Sequence, residues 1–488
     1  MKSLTTLLIC ALFIALLPTA YATHNLGGYI TYRQISLYTI EATVTTFTKT
    51  TGQSQFADRP ELEIHWGDGQ IQVLARSNGL PDLQGVPAGE LISPNIKKNE
   101  YTATHSYAYV NNPNHPQPSR FYTLWVQDPN RNEDILNING GNSVNIEFHI
   151  ASEIYLAGSN EPLHSSSAIP TIPLKYTGVL GQVFQFSPNA ATIPGDSLAY
   201  EMVTPQSDVN TPVPGYQPVS DISPGANNNY TLNPRTGIFN WNAPQQAGLY
   251  AIAIKIKSYT NGQYTGYVIY DIQIQILNSN NTAVSISQTV GANDFVWDQN
   301  YSGLDTLHLE FIADNNPTSI ELIGADYITN NYNFTVTTIN ASSKLAVLDI
   351  VVPQLPRNYD LFHNFAIVTE STISTTQGSY TAFAAAPILM KWTGGPVVSN
   401  HYVEDRPAFE CSLFPNPASE QLHLSFDTAA KQRNLHIFNS LGQLVYTEAE
   451  MPIENYYSIQ IDQLPIGTYF LQIQQDGQSL TKVFTKGH

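Results

Sequence analysis

The stretch YDIQIQIL, residues 270–277, places Ile272, Ile274 and Ile276 at every second position, with Asp271, Gln273 and Gln275 between them. Successive side chains of an extended chain point to opposite faces, so this spacing predicts a strand whose isoleucines turn into a core. YAIAIKIK, residues 250–257, repeats the pattern just upstream. Further out, ELEIHW (61–66) sets Leu62, Ile64 and Trp66 against Glu61, Glu63 and His65. YTIEATVTTF (38–47) puts Tyr38, Ile40, Ala42 and Val44 on one face, and VNIEFHI alternates from Val144 to Ile150. GQVFQFSP (181–188), LHLEFIA (307–313), YNFTVTT (332–338) and LAVLDIVV (345–352) have the same texture. Each predicts a strand with one buried face. Turn formers separate them: VNNPNHPQPS (110–119) is pure turn chemistry, and NPRTG (233–237) reads as a tight turn feeding the strand residues Ile238, Phe239 and Trp241.

Almost no apolar pattern has a helical period. The expected fold class is therefore all-β, as several tandem β-sandwich modules of immunoglobulin-like architecture. The 28 Tyr suit pleated, half-buried surfaces, and the 30 Gly and 31 Pro act as turn punctuation. With 42% hydrophobic and 12% charged residues, the chain is too apolar to be disordered. Its 488 residues have room for three or four modules, and the absence of an exact internal repeat argues against a solenoid. Lys and Arg total 21 against 39 Asp and Glu, a formal charge of −18. Such a chain repels phosphate backbones, which argues against nucleic acid as a partner.

The first 22 residues, MKSLTTLLICALFIALLPTAYA, combine Lys2, a short apolar run from Leu7 to Leu17, and the small-x-small site Ala20-Tyr21-Ala22. They read as a signal peptide at 1–22. No later segment approaches the ~20 apolar residues that a span needs, so no transmembrane segment is expected after signal removal. Cys10 leaves with the signal, and Cys411 alone allows no intramolecular disulfide. The modules are expected at 23–151, 152–278 and 279–394. TGGPVVSNHYVEDRP then opens a linker at 395–411, and a last unit occupies 412–488.

Trp66-Gly67-Asp68-Gly69 follows a strand, and His105-Ser106-Tyr107 comes later, ahead of FYTLWVQDPNR. This order resembles the PKD-type repeat family, a β-sandwich. The resemblance implies a structural turn in which Trp66 fills the core, the glycines permit unusual φ, and Asp68 bonds the turn backbone. The competing reading makes His65, Asp68 and His105 metal ligands, without a recognisable third spacing. From GGYITYRQ onward, residues 24–278 are also similar to the N-terminal module of large surface proteins of gliding Bacteroidetes-type bacteria. Gly195-Asp196-Ser197-Leu198 and the later Thr236-Gly237-Ile238-Phe239-Asn240-Trp241 resemble cadherin-like or immunoglobulin-like bacterial modules. Those usually cluster acids for calcium, but Thr192 and Pro194 stand where two acids are wanted and only Asp196 remains, so no calcium site is expected. Asp196-Ser197-Leu198, Asp305-Thr306-Leu307 and Asp427-Thr428-Ala429 resemble a short acceptor motif for O-glycosylation.

The most specific motifs lie at the end. LFPNPAS brings Pro415, Asn416 and Pro417; LHIFNSLGQLVY turns at Gly442; IQIDQLPIGTYFLQI carries Leu464, Gly467, Tyr469 and Leu471; and VFTK follows. This order resembles the type A C-terminal sorting domain of type IX secretion, with Phe414 in place of the usual Tyr. The resemblance implies passage through the periplasm to the outer surface or the medium, with the type IX secretion machinery as a partner.

No H-E-x-x-H or G-x-S-x-G motif occurs among the 12 His and the scattered acids, and no cofactor is implied. The expectation is a non-catalytic adhesin or stalk that binds a surface polysaccharide or another surface protein. Tyr259, Tyr264, Tyr267, Trp297 and Tyr301 are candidates for a saccharide-binding face. The rival expectation is a secreted hydrolase with its active site within 279–394.

Overall fold

The computed structural model describes residues 25–487 except 51–57, 83–84, 94, 110–119, 159–165, 173–176, 193–195, 261–262, 293, 298–304, 328, 353–360, 377, 393–410, 427–432, 440–442, 449–455 and 476–477. The signal-peptide reading, Gly442, Tyr301, the motif at 427–429 and all but the last residue of the expected linker lie outside the described residues. The chain forms two compact units, Met1–Pro396 and Val397–His488.

In the first unit, the hairpin Gly248–Thr260 and Gln263–Leu277 sets Ile252 opposite Ile272 and Ile254 opposite Tyr270. Ile272, Ile274 and Ile276 are buried as their spacing predicts, but so are Asp271 and Gln273. The strand is covered on both faces. Its other edge is taken by N-terminal strands. Asn25–Ser36 pairs Gly27 with Ile272, and Phe148–Tyr155 pairs Ile154 with Gly266. The hydrogen-bonded path runs Ile71–Ala75, Glu61–His65, Phe121–Asp128, Phe148–Tyr155, Gln263–Leu277, Asn25–Ser36, Thr39–Lys49, Ile96–Ser106, Glu90–Ser93.

The boundary expected between residues 151 and 152 thus falls inside strand Phe148–Tyr155, and segments 23–151 and 152–278 share a sheet. A long strand with a bare edge exposes a row of unpaired backbone groups, and pairing removes that liability. Period-two spacing reveals which face a residue takes, not which strand it will pair with.

Two cores flank this shared sheet. Strand Asn25–Ser36 gives Leu26 and Tyr29 to one, with Phe186, Trp241 and Ile252, and Ile30 and Tyr32 to the other, with Ile64, Trp66, Leu124 and Ile150. Between them, at Gly28, the chain passes so close to its neighbour that a Cβ would lie 2.5 Å from the Thr45 carbonyl oxygen. Leu62, Ile64 and Trp66 are buried, and so are Ile40, Ala42 and Val44, whereas Tyr38 stands exposed in a turn. VNIEFHI departs from expectation. Residues 144–147 form a turn, in which the Ile146 N–H donates to Ser143 O, and the strand begins only at Phe148.

Residues 285–392 form two facing four-stranded sheets. One runs Ser285–Val290, Asp305–Asp314, Ser343–Val352, Tyr332–Asn340, and the other Asp294–Trp297, Gly378–Trp392, Leu361–Thr375, Ser319–Ile323. Phe311, Leu348, Phe365, Ile388 and Trp392 fill the space between them. This sandwich packs on the preceding segment through Val179, Leu277, Val284, Ile373 and Ala382, and through Ile172, Ala366 and Phe383. Gln182 pins the connecting chain: its Nε2 donates to Asn281 O at 3.0 Å and its Oε1 accepts from the Ala283 N–H at 2.8 Å.

In the second unit, Cys411–Phe414, Gln421–Phe426 and Tyr456–Gln460 form one sheet, and Leu444–Glu448, Arg433–Asn439, Gly467–Gln475 and Gln478–Lys486 the other. Leu422, Leu424, Leu435, Ile437, Leu471 and Phe484 form the core, with Cys411 buried among them.

Candidate functional site

The turn after strand Glu61–His65 is built as a latch. Gly67 has φ +82 and Gly69 φ +92, and the Asp68 Oδ1 accepts the Gln70 N–H at 2.9 Å. The other Asp68 oxygen lies 2.8 Å from His105 Nε2. The His105 ring stacks on Trp66 at 4.7 Å, and the Tyr107 hydroxyl donates to Trp66 O at 3.0 Å. His65 leaves the opposite face of its strand and stacks on Trp125 at 3.4 Å. Asp68 and His105 therefore meet each other, while His65 points elsewhere. Among the described residues, no group of three His, Cys, Asp or Glu is placed to hold a metal ion.

The NPRTG turn closes with the Gly237 N–H donating to Asn233 O at 2.9 Å, while Asn233 Oδ1 accepts from the Arg235 and Thr236 N–H groups. Gly237, at φ +69, lies against Tyr200, where a Cβ would come within 2.6 Å of the ring. Trp241 is fully buried and donates from Nε1 to Asn228 Oδ1 at 2.7 Å.

An aromatic cluster occupies the outer face of the shared sheet. Register places Phe121 opposite Tyr155 and Tyr259 opposite Tyr264. The Phe121 ring stacks on Tyr264 at 5.6 Å and tilts against Tyr155 at 5.3 Å, and Tyr264 meets Tyr259 edge-on at 5.7 Å. Polar groups border the rings. The Tyr264 hydroxyl donates to Glu153 Oε1 at 2.6 Å, Lys255 Nζ lies over the Tyr267 ring at 4.6 Å, and Lys257 pairs with Glu201. Trp125 stands on the same face as Phe121, since residues 121, 123 and 125 of one strand point the same way. Of the five candidate aromatics, Tyr259, Tyr264 and Tyr267 come together here; Tyr301 and the Trp297 side chain lie outside the described residues. Phe121 and Tyr155 were not among those candidates, although FYTLWVQ places Phe121 and Trp125 on one face by simple alternation.

Next to Tyr259 opens a cavity of about 310 Å³, where the second and third segments meet. Thr192, Ser197, Arg235 and Tyr259 line it on one side, and His363 and Asn364 on the other. Asp196 begins the strand that forms one wall. Its Oδ1 accepts from Thr260 Oγ1 at 2.6 Å, and its Oδ2 has no hydrogen-bond partner. The Thr192 hydroxyl is near enough to act on the Asp196 charge but outside hydrogen-bonding geometry. Burial pushes the Asp196 carboxyl up to about 6, against the pull of those two hydroxyls. Burial also lowers His363 to about 4, leaving a neutral ring beside Trp392.

In the 279–394 segment, His308 lies exposed between two acids, Nδ1 2.7 Å from Asp349 Oδ1 and Nε2 3.2 Å from Glu310 Oε1. The Asp349 hydrogen bond, with that of Glu310, raises its pKa. Both ring nitrogens are engaged, so neither is free to take a proton from a nucleophile.

In the second unit, Asn416 ties the opening motif to the last strand: its Oδ1 accepts from the Thr485 N–H at 2.8 Å, and the flanking Pro415 and Pro417 are both cis. The Tyr469 hydroxyl donates to Pro465 O at 2.6 Å and its ring stacks on Phe484 at 5.4 Å. A Cβ on Gly467 would meet only Tyr469 Cε2, at 3.9 Å, so packing does not demand a glycine there. Residues 412–486 match a family described as the secretion system C-terminal sorting domain. The chain ends in a type IX sorting domain. That domain marks the protein for export to the outer cell surface or the medium, and the chain is a secreted surface β-sandwich protein. No helix among the described residues is long and apolar enough to cross a membrane.

Among solved structures, the chain is similar to an I-band fragment of titin, at 12% identity over 65% of this chain and 96% of that one, with a TM-score of 0.14. It is also similar to the N-terminal four Ig domains of Dscam1 with zinc, at 10% identity, 87% and 93% coverage and a TM-score of 0.17. For the human desmocollin-1 ectodomain the values are 10% identity, 79% and 69% coverage and a TM-score of 0.15. No curated protein matches the chain.

Proposed function

We propose that the protein is a non-catalytic adhesin that holds a polysaccharide at the cell surface against the outer aromatic face of its first unit. The observation that carries this reading is the run of rings Tyr155, Phe121, Tyr264 and Tyr259, gathered from four strands onto one solvent-facing side. Aromatic rings offer flat apolar area that packs against the C–H faces of sugar rings. Glu153, Lys255 and Lys257 at the border supply hydrogen-bonding groups for hydroxyls, the combination that fixes orientation at a recognition site.

The rival hydrolase reading finds its best support in His308, Asp349 and Glu310, but that trio is a surface ion-pair group with no nucleophile joined to it among the described residues. To test the adhesin reading, the exported protein is passed over immobilised polysaccharides while soluble glycans are monitored for turnover. Retention without turnover is expected, and Tyr264→Ala should weaken it by about tenfold, the effect of one stacked ring. Turnover lost with His308→Ala, or retention indifferent to Tyr264 and Phe121, would overturn it.

A further inference from the structure

We infer that the cavity beside Tyr259 is an end pocket that takes one uncharged, hydroxyl-rich sugar residue of the same polysaccharide, an inference that rests on the adhesin reading. Continuity is the first argument. Tyr259 belongs both to the aromatic run and to the cavity wall, so a chain laid over Phe121 and Tyr264 reaches the cavity mouth at its next ring.

Size is the second argument. About 310 Å³ sits at the lower end of the roughly 300–1,000 Å³ of small-molecule sites, fitting a single sugar better than a folded peptide.

The third argument is the inventory of unpaired atoms. Thr192 Oγ1 and Asn364 Oδ1, both on residues that line the cavity, are buried without partners, as is Asp196 Oδ2 beside Thr192. Thr192 is 6% exposed and Asp196 2%, so water at the surface does not serve them. All three atoms accept hydrogen bonds, and buried acceptors left empty are costly. A ligand that presents O–H donors at close spacing satisfies the two of them that line the cavity, on Thr192 and Asn364. A carboxylated sugar brings more acceptors and sets its charge against Asp196, and among the described residues that line the cavity Arg235, exposed at the edge, is the one cation. Calcium would also accept oxygen ligands, but a single carboxylate is a poor set for it.

The pocket exists only because two segments meet. Asn364 lies on strand Leu361–Thr375, near the Tyr200 hydroxyl of strand Asp196–Val203, and the packed junction holds the two walls in place.

Calorimetric titration of the whole exported protein with glucose, galactose, mannose, N-acetylglucosamine, glucuronic acid and calcium chloride tests the inference. One of the neutral sugars should bind saturably. Thr192→Val, which keeps the shape and removes the hydroxyl, should weaken it about tenfold with melting temperature unchanged, the effect of one hydrogen bond. Ala199→Trp, which fills the cavity, should abolish it. Preference for glucuronic acid, binding of calcium in place of sugar, sugar binding indifferent to both variants, or no neutral sugar bound at all would each overturn the inference. Tyr264→Ala separates the two readings, because it should weaken polysaccharide retention and leave monosaccharide binding intact. Polysaccharide retained without monosaccharide binding removes the pocket alone, and monosaccharide bound without polysaccharide retention removes the aromatic face alone.

Discussion

Arg131 and Asp271 meet as a bidentate ion pair, Nη1 3.0 Å from Oδ1 and Nη2 2.7 Å from Oδ2, with both side chains closed to solvent. Arg131 comes from the loop after strand Phe121–Asp128, and Asp271 from the strand shared by the two cores. The guanidinium also donates to Gln206 O and Glu147 O and lies over the Phe148 ring at 5.1 Å. Asn132 extends the network to Gln273 and, through it, to Asn25 O. Buried charges are tolerated only when every donor and acceptor finds a partner, and here the pair stitches the first segment to the second.

Removing one member should therefore hurt more than removing both. Arg131→Met leaves a carboxylate in an interior where burial already raises the Asp271 pKa, and should destabilise the first unit by about 3–5 kcal/mol. Arg131→Met combined with Asp271→Leu should recover most of that loss. Urea denaturation of the three variants checks this; simple addition of the single effects would show that the two residues are not coupled.

The two glycines of the latch should behave differently. Both have φ in the left-handed region, so an alanine costs about 1–2 kcal/mol at either position. At Gly69 nothing lies within 4 Å of a new Cβ, whereas at Gly67 it would come within 2.5 Å of the Thr123 carbonyl oxygen. Backbone cannot step aside as a side chain can. Gly67→Ala should thus lower the melting temperature well beyond Gly69→Ala, and equal shifts would mean that sterics at Thr123 play no part.

Period-two spacing made the strands of Ile64, Val44 and Ile274 legible, because one-faced burial imprints itself on neighbouring residues. The partner of each strand was not legible: Gly27 meets Ile272 across a gap of some 245 positions, and no local pattern records that. The same limit hid the cavity, whose described lining residues run from Ala190 to Asn364. Tyr259, Tyr264 and Tyr267 could be named as aromatics from composition, but only the register of Phe148–Tyr155 brings Phe121 and Tyr155 to them. Asp196 read as the remnant of a lost calcium cluster. Its carboxyl is instead buried against Thr260, an environment that a neighbouring strand supplies.

That environment makes Asp196 a source of pH-dependent stability. Its pKa is raised from 3.8 to about 6, chiefly by burial, so the folded state holds the proton more tightly than the unfolded chain does. The resulting stabilisation is fully present below about pH 4, is lost as pH rises through about 6, and is absent above that. A shift of this size corresponds to about 3 kcal/mol. Asp196→Asn keeps an oxygen to accept from Thr260 Oγ1 and never ionises. Wild type and variant should therefore match at pH 4, and the variant should be the more stable at pH 7.5. The gap should open between pH 4 and 6. Denaturation midpoints measured across that range decide the matter: parallel curves for the two proteins would mean that another group carries the pH dependence.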